Sequence, residues 1–305
     1  MYGVVMQTSV HDSKTFKFHF LKYRYVWLAV SVIYLVIGLG AYFVKGGFKY
    51  YIDFAGGTEV RLSFEKTVDI SQVRQAMSAR GWKEASIQSV GSKGSEFIVH
   101  VASSSSDAAG KIKSDLETVL VGNKVTIEGT QWVGPEVGSE TTWNAILAVL
   151  ISMLVILLYI AVRFEFRFGL GAVAALVHDV LAVLVFLLLV GEPISLHILA
   201  SVLAVLGYSV HDTIVIFNRM RENFIKLRGL PEDEIADISI NQTLSRTLLT
   251  SGATMLAVIA ILIWGGETLH GLSLVMLVGI IVGTYSSIYI ASPVMLAVKT
   301  KASAE

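Results

Sequence analysis

Residues 207–219 read GYSVHDTIVIFNR, and the choice between a soluble and a membrane fold turns on them. His211 and Asp212 interrupt an apolar run that starts at Ile194 and ends at Phe217. A helix needs about 20 apolar residues to cross a bilayer, so the run reads as a membrane span. An ionised carboxylate inside a span costs several kcal/mol unless it faces a bundle interior or water. Ser201, Tyr208 and Asp212 are spaced by seven and four, which puts them on one helical face. That polar strip points away from lipid.

Working outward, further stretches of similar length occur at 26–44, 143–162, 169–190, 247–264 and 271–298, six spans with 194–217. The composition agrees: 54% of residues are hydrophobic and 16% charged, against roughly 25% charged in soluble domains. Lys and Arg together number 24, as do Asp and Glu. The net charge is therefore zero, and bulk charge gives no argument for a nucleic-acid partner. Cysteine is absent, which excludes disulfides and thiolate metal or redox sites.

Basic residues set the orientation. Lys14, Lys17, Lys22 and Arg24 precede the first span, which is too long for a cleavable signal peptide. Arg163 and Arg167 fall in the 163–168 turn, and Arg219, Arg221, Lys226, Arg228 and Arg246 in the 218–246 loop. Lys299 and Lys301 follow the last span, whereas the alternate turns at 191–193 and 265–270 carry no Lys or Arg. All the basic flanks fall on one side, so the 1–25 segment, the 218–246 loop and the 299–305 tail are expected in the cytoplasm. In the 218–246 loop, Met220, Phe224 and Leu227 alternate with basic residues. This segment reads either as a surface helix on the inner leaflet or as an ordinary connecting helix.

A soluble domain at about 45–142 is left on the far side. Residues 58–65 alternate as a strand, 69–82 carry helical spacing with Asp69 as cap, and 84–91 and 95–101 read as strands around a Gly-Ser-Lys-Gly turn. A helix at 104–120 and a strand at 124–133 complete a β-α-β-β-α-β order, the ferredoxin-like arrangement. His100 reads as a packed or exposed strand residue. The glycine motifs IDFAGGT (52–58) and VGPEVG (133–138) bracket the domain but lack a phosphate-loop pattern. They read as a hinge or tight turns, with Gly56, Gly57, Gly134, Pro135 and Gly138 as its residues. The fold expected is thus an α-helical integral membrane protein of six transmembrane helices, with an α+β domain inserted after the first. No HExxH or paired-aspartate signature argues for a membrane enzyme, and no cofactor is expected.

IDFAGGT, VGPEVG, RFEFR (163–167) with ALVHDV (175–180), GYSVHDTIVIFNRMREN (207–223) and TLSRTLLTSGAT (243–254) occur in that order. The series resembles the SecD/SecF protein-export family, related to the resistance-nodulation-division transporters, from about residue 14 to 298. The resemblance implies a multi-pass protein of the bacterial cytoplasmic membrane, a SecD-like subunit as heterodimer partner, and association with the SecYEG channel and its auxiliary subunits. It also implies use of a proton or sodium gradient to assist late movement of a translocating polypeptide. A scaffold subunit and an efflux-type transporter half are the alternatives.

The family's coupling aspartate and arginine match Asp212 and Arg246, which hydropathy places at similar depth. The alternative for the two is a static ion pair, or for Arg246 a plain cytoplasmic charge. The family's His-Asp pair in the third span matches His178 and Asp179. Asp179 reads as proton relay or packing glue, and His178 as relay or satisfied helix–helix hydrogen bond. At His211 the chain departs from the resemblance, since the family commonly has Asn there; the His is a second relay group or a neutral substitute. Gly279, Gly283 and Ser287 recur every four residues, a small-residue ladder that should seat against another helix.

Overall fold

The computed structural model describes residues 18–82, 85–90, 94–103 and 107–298, excluding the side chains at 267 and 268. Lys14, Lys17, Lys299, Lys301, most of the 91–94 turn and the expected helix start at 104–106 lie outside the described residues.

The first long helix, α1 (Arg24–Lys45), ends at Gly46 in the left-handed conformation. A single turn, α2 (Ile52–Ala55), leads into the inserted domain. There follow β1 (Gly57–Phe64), α3 (Ile70–Ala79), β2 (Ser86–Val90), β3 (Glu96–Val101), α4 (Ala108–Val119) and β4 (Val125–Val133). The strands form one antiparallel sheet in the order β2-β3-β1-β4. This is the ferredoxin-like layout expected from the sequence. Alternation in β1 sends Val60, Leu62 and Phe64 to one face, where Val73, Met77, Ile112 and Leu116 of the two helices cover them. Asp69 starts α3 with a capping box: its carboxylate accepts from the Ser71 amide at 2.8 Å, and the Asp69 amide donates to Gln72 at 3.2 Å. The hydrogen bonds that Ser71 donates to its charged form hold the Asp69 carboxyl below its usual range.

His100 lies on the opposite face of the sheet, buried beneath the Tyr51 ring at 4.4 Å between centroids. Neither of its ring nitrogens has a hydrogen-bond partner among the described residues, and Glu59 is 3.8 Å away. Desolvation therefore pushes the His100 pKa down, against the pull of Glu59 and Asp53.

Four more whole helices and one interrupted span complete the membrane part: α5 (Pro135–Arg163), α6 (Phe166–Val190), α7 (Leu196–Lys226) and α8 (Glu232–Trp264), then α9 (Gly266–Ser286) and α10 (Ser292–Ala297). A π-helical turn at Ser287–Ala291 joins α9 to α10, making one span of Leu269–Ala297. With α1, six helices among the described residues are long and apolar enough to cross a membrane. Central among them is α6, which packs on α1, α5, α7, α9 and α10. Phe168, Leu176, Phe217, Met220, Ile240 and Met295 form its buried core. By contrast α1 and α5 leave broad apolar faces uncovered, such as Val36 and Phe43, or Leu150 and Leu154.

Two helices run past the limits that hydropathy suggests. Residues 218–226 continue α7 and residues 232–246 begin α8, so the 218–246 segment is a helical hairpin rather than a separate surface helix. Of the two readings of this segment, the surface helix fails because its apolar members Met220 and Phe224 turn into the bundle core. Asn223 ties the hairpin together through Ser239 at 2.8 Å and Gln242 at 2.9 Å. Beside it Arg167, largely buried, joins Glu165 and Glu232, both at 3.1 Å.

The inserted domain meets the helices through backbone. The Tyr51 amide donates to the Ile194 carbonyl at 2.9 Å, and the Ile194 amide to the Lys49 carbonyl at 2.8 Å. The Asp53 carboxylate accepts from the Leu196 amide at 3.0 Å, at the positive N-terminal end of α7. The two glycine motifs meet at this level. Gly56 and Gly57 have φ of 72° and 132°, a backbone open to glycine without strain. A Cβ on Gly138 would stand 2.7 Å from the Phe54 carbonyl oxygen, so only a glycine lets α5 approach α2 this closely. Gly134 precedes Pro135, which takes the first position of α5, where a missing N–H costs nothing.

Candidate functional site: two buried carboxylates

Asp212 is 1% exposed. Its Oδ2 accepts from the Ser251 hydroxyl of α8 at 3.2 Å and from the Thr284 hydroxyl of α9 at 3.4 Å. Ser251 and Thr284 also lie within 3.0 Å of each other. His211 Nδ1 is 3.8 Å from Asp212 Oδ1, and its side chain is 54% exposed. Tyr208, one turn earlier, buries its hydroxyl without a hydrogen-bond partner among the described residues, as does Thr247, one turn before Ser251. Arg246 sits on α8 five residues before Ser251 with its side chain exposed, and among the described residues it makes no ion pair with Asp212. Hydroxyls instead surround this carboxylate. A hydroxyl can donate to a carboxylate or accept from a carboxylic acid by rotating its hydrogen. The same shell therefore accommodates both protonation states without moving a heavy atom.

Asp179 is fully buried. Its Oδ2 accepts from Ser209 of α7 at 2.5 Å and Ser286 of α9 at 2.9 Å. Its Oδ1 faces His178 Nδ1 at 3.2 Å, although the two side chains start about 100° apart on the helix. The other ring nitrogen of His178 reaches Ser31 of α1 at 3.1 Å. Ser31 in turn meets the Tyr285 hydroxyl at 2.8 Å, and Tyr285 donates to the Trp27 carbonyl at 2.7 Å. One chain of polar contacts thus joins α6, α7, α9 and α1. Sequence reasoning singled out His178 and Asp179 but not Ser31, Ser209, Ser286 or Tyr285. Ser209 stands three residues before Asp212, and Ser286 two after Thr284, so the two carboxylates share α7 and α9 as walls.

The ladder on α9 explains how the walls close. Gly279 lies against the Val205 side chain, and a Cβ on Gly283 would be 3.0 Å from the Cβ of Ser209. Gly279 and Gly283 therefore bring α9 within hydroxyl reach of Asp179. Ser287, fully buried, starts the π turn, and its hydroxyl donates to the Thr284 carbonyl at 2.9 Å. Turns of this type concentrate at functional sites in helices.

Six membrane-length helices around two buried carboxylates, with a ferredoxin-like domain inserted after the first, define a multi-pass membrane protein with ionisable groups inside its helix bundle. The family described as protein export membrane protein SecD/SecF, C-terminal, matches residues 112–301. The chain is 41% identical to protein translocase subunit SecF of Pseudomonas aeruginosa over 91% of this chain and 90% of that one. It is 39% identical to the SecF of Vibrio alginolyticus over 88% and 87%. The crystal structure of Thermus thermophilus SecDF, a translocon-associated membrane protein, superposes with a TM-score of 0.82 at 38% identity. That match covers 92% of this chain and 38% of the longer SecDF chain. The chain belongs to the SecD/SecF protein-export family.

Proposed function

We propose that this chain is a subunit of the Sec protein-export machinery in the bacterial cytoplasmic membrane, with both termini in the cytoplasm. It converts ion movement through the bundle into movement of the inserted domain, which assists a polypeptide late in translocation. A SecD-like subunit is its partner, consistent with the SecDF chain of Thermus thermophilus, which carries the matching segment as part of a longer protein. The uncovered apolar faces of α1 and α5 suit lipid or that partner. SecYEG is the channel at which the pair acts.

The observation that carries this reading is Asp212: a buried carboxylate on a membrane helix, held by neutral hydroxyls with its nearest cationic candidate 3.8 Å away. A carboxylate so placed has no arginine or lysine in close ion pair with it among the described residues, and the Arg246 charge acts on it only from farther away. It can take up and release a proton at modest cost. Arg246, on the adjoining helix, supplies a charge that can approach when the helices repack, and His178, Asp179 and His211 complete the ion-handling set. The glycines at 56, 57, 134 and 138, with Pro135, form the joint through which the domain moves. Each charge crossing a potential of 100 mV yields about 2.3 kcal/mol, so several are needed for a stroke that breaks the backbone contacts at Ile194.

The test is Asp212→Asn in proteoliposomes containing the partner subunit and the channel. The variant is expected to assemble normally and to lose gradient-driven stimulation of translocation together with proton flux. Retained stimulation would instead mark the chain as a scaffold whose buried polar groups fix helix register.

A further inference from the structure

The polar chain from Asp179 to Trp27 has a fixed direction. Its far end is a backbone carbonyl, which only accepts, so the Tyr285 hydroxyl spends its single hydrogen on Trp27. The Tyr285 oxygen must then accept from Ser31 at 2.8 Å. Ser31, having given its hydrogen to Tyr285, must accept from His178 Nε2 at 3.1 Å. That places a proton on Nε2. The contact between His178 Nδ1 and Asp179 Oδ1 at 3.2 Å then needs one proton of its own, carried by either the ring or the acid. While all these hydrogen bonds stand, the pair is net neutral, either as imidazole and carboxylic acid or as imidazolium and carboxylate.

Removing one proton from the pair makes this arrangement untenable. Asp179 is then a carboxylate, and a neutral ring with its hydrogen on Nε2 would turn a bare Nδ1 toward it. The favourable form has the hydrogen on Nδ1, donating to Asp179, with Nε2 now an acceptor. Ser31 must rotate its hydrogen to Nε2. Tyr285 loses that donor, and it either turns its hydroxyl to Ser31 and frees Trp27, or keeps Trp27 and faces the Ser31 oxygen with no hydrogen between them. Each outcome removes one hydrogen bond between α1 and α9. The proton count closes: four hydrogens on Asp179, His178, Ser31 and Tyr285 become three, and the fourth leaves to water.

We propose that Ser31 and Tyr285 are positioning residues that convert loss of a proton from the Asp179–His178 pair into release of α1 from α9. This rests on the reading of the chain as an ion-driven export subunit and specifies how loss of a proton is transmitted to α1, which leads into the inserted domain. The other titratable groups that the packed elements bring to this part of the bundle are Tyr34 of α1, which donates to the Ala182 carbonyl, Tyr289 of the π turn, and Asp212 of α7. None of these lies in the hydrogen-bonded chain. Ser31 and Tyr285 touch no ion in this scheme; they act through His178.

Infrared difference spectra recorded on the full chain in lipid bilayers, titrated from acid to alkaline pH, test the proposal. The neutral-acid carbonyl band removed by Asp179→Asn, or the imidazolium ring band removed by His178→Asn, reports the proton, and the tyrosine C–O band removed by Tyr285→Phe reports the hydroxyl. In the wild type the two are expected to shift together. Ser31→Ala should keep the Asp179 band and lose the coupled tyrosine shift, and Tyr285→Phe should keep the acid band. Asp212→Asn should leave both signals in place, so failure of the Asp212 reading and failure of this one are told apart. A titrating Asp179 or His178 band with no tyrosine shift overturns the proposal, as does a tyrosine shift that survives Ser31→Ala, or a pair in which neither the Asp179 nor the His178 band changes with pH. Should Asp179→Asn fail to fold, the Ser31 and Tyr285 variants, which each remove one hydroxyl, still decide.

Discussion

The tripeptide Val-His-Asp occurs twice, at 177–179 in α6 and at 210–212 in α7. Both copies are helical and both carboxylates are buried, yet their surroundings diverge. The first histidine is enclosed, 3.2 Å from its aspartate, with a second partner on α1. The second is half exposed, 3.8 Å from its aspartate, and has no hydrogen-bond partner among the described residues. The first carboxylate holds three side-chain contacts of 3.2 Å or less. The second holds two hydroxyls at 3.2 and 3.4 Å. Identical local sequence has produced a closed, directional network in one place and a loose, reversible shell in the other. The difference comes from the neighbours: α6 is central and touches α1, whereas His211 points out of the bundle.

Removing each carboxylate should expose the contrast most strongly. Asp179→Ala strands a buried histidine and two buried hydroxyls, and is expected to cost about 3 kcal/mol or more in unfolding measured in detergent. Asp212→Ala should cost about 1–2 kcal/mol, because Ser251 and Thr284 can bond to each other. Equal losses would break the comparison. A smaller effect is expected from the wall glycines. Gly283→Ala presses on Ser209 and should destabilise by about 1–3 kcal/mol, disturbing Asp179 first. Gly252→Ala, beside Ser251 with open space around it, should be neutral or stabilising by up to about 1 kcal/mol.

A third histidine sharpens the case from outside the membrane. Burial holds His100 below its ordinary pKa, so the folded domain resists its protonation. Stability is complete above the unfolded value, about 6.5, and is lost as pH falls below it toward the depressed folded value. Amide exchange in β1 and β3 of the full chain should therefore quicken on acidification, and His100→Gln should flatten that dependence. The smallest effect belongs to His211→Asn, expected to change stability by less than about 0.5 kcal/mol. His178→Asn, by contrast, should unfold measurably more easily and lose the coupled tyrosine signal.

The sequence carried the coarse plan because bilayer length and strand alternation are local signals. Six spans, the ferredoxin-like order and the two aspartates followed from run lengths, periodicity and misplaced charge. The partners of those aspartates did not follow. Serine and threonine in membrane helices commonly bond their own preceding turn, as Thr213 does to the Ser209 carbonyl at 3.1 Å. Nothing in the order of residues distinguishes those from Ser286 or Ser31, whose hydroxyls reach other helices. Hydropathy also placed Arg246 level with Asp212 but was silent on which way its side chain turns. The hairpin of 218–246 was obscured for a similar reason: charge on its outer face hid the continuity of α7 and α8.

The close approach of Gly138 to Phe54 has a mechanical consequence. Where the chain enters and leaves the inserted domain, a peptide carbonyl rests on a residue without a side chain. On the proposed function, small tilts of α1 against α5 would become sweeps at the domain's far rim, and the sharpness of that fulcrum would depend on one missing methyl group.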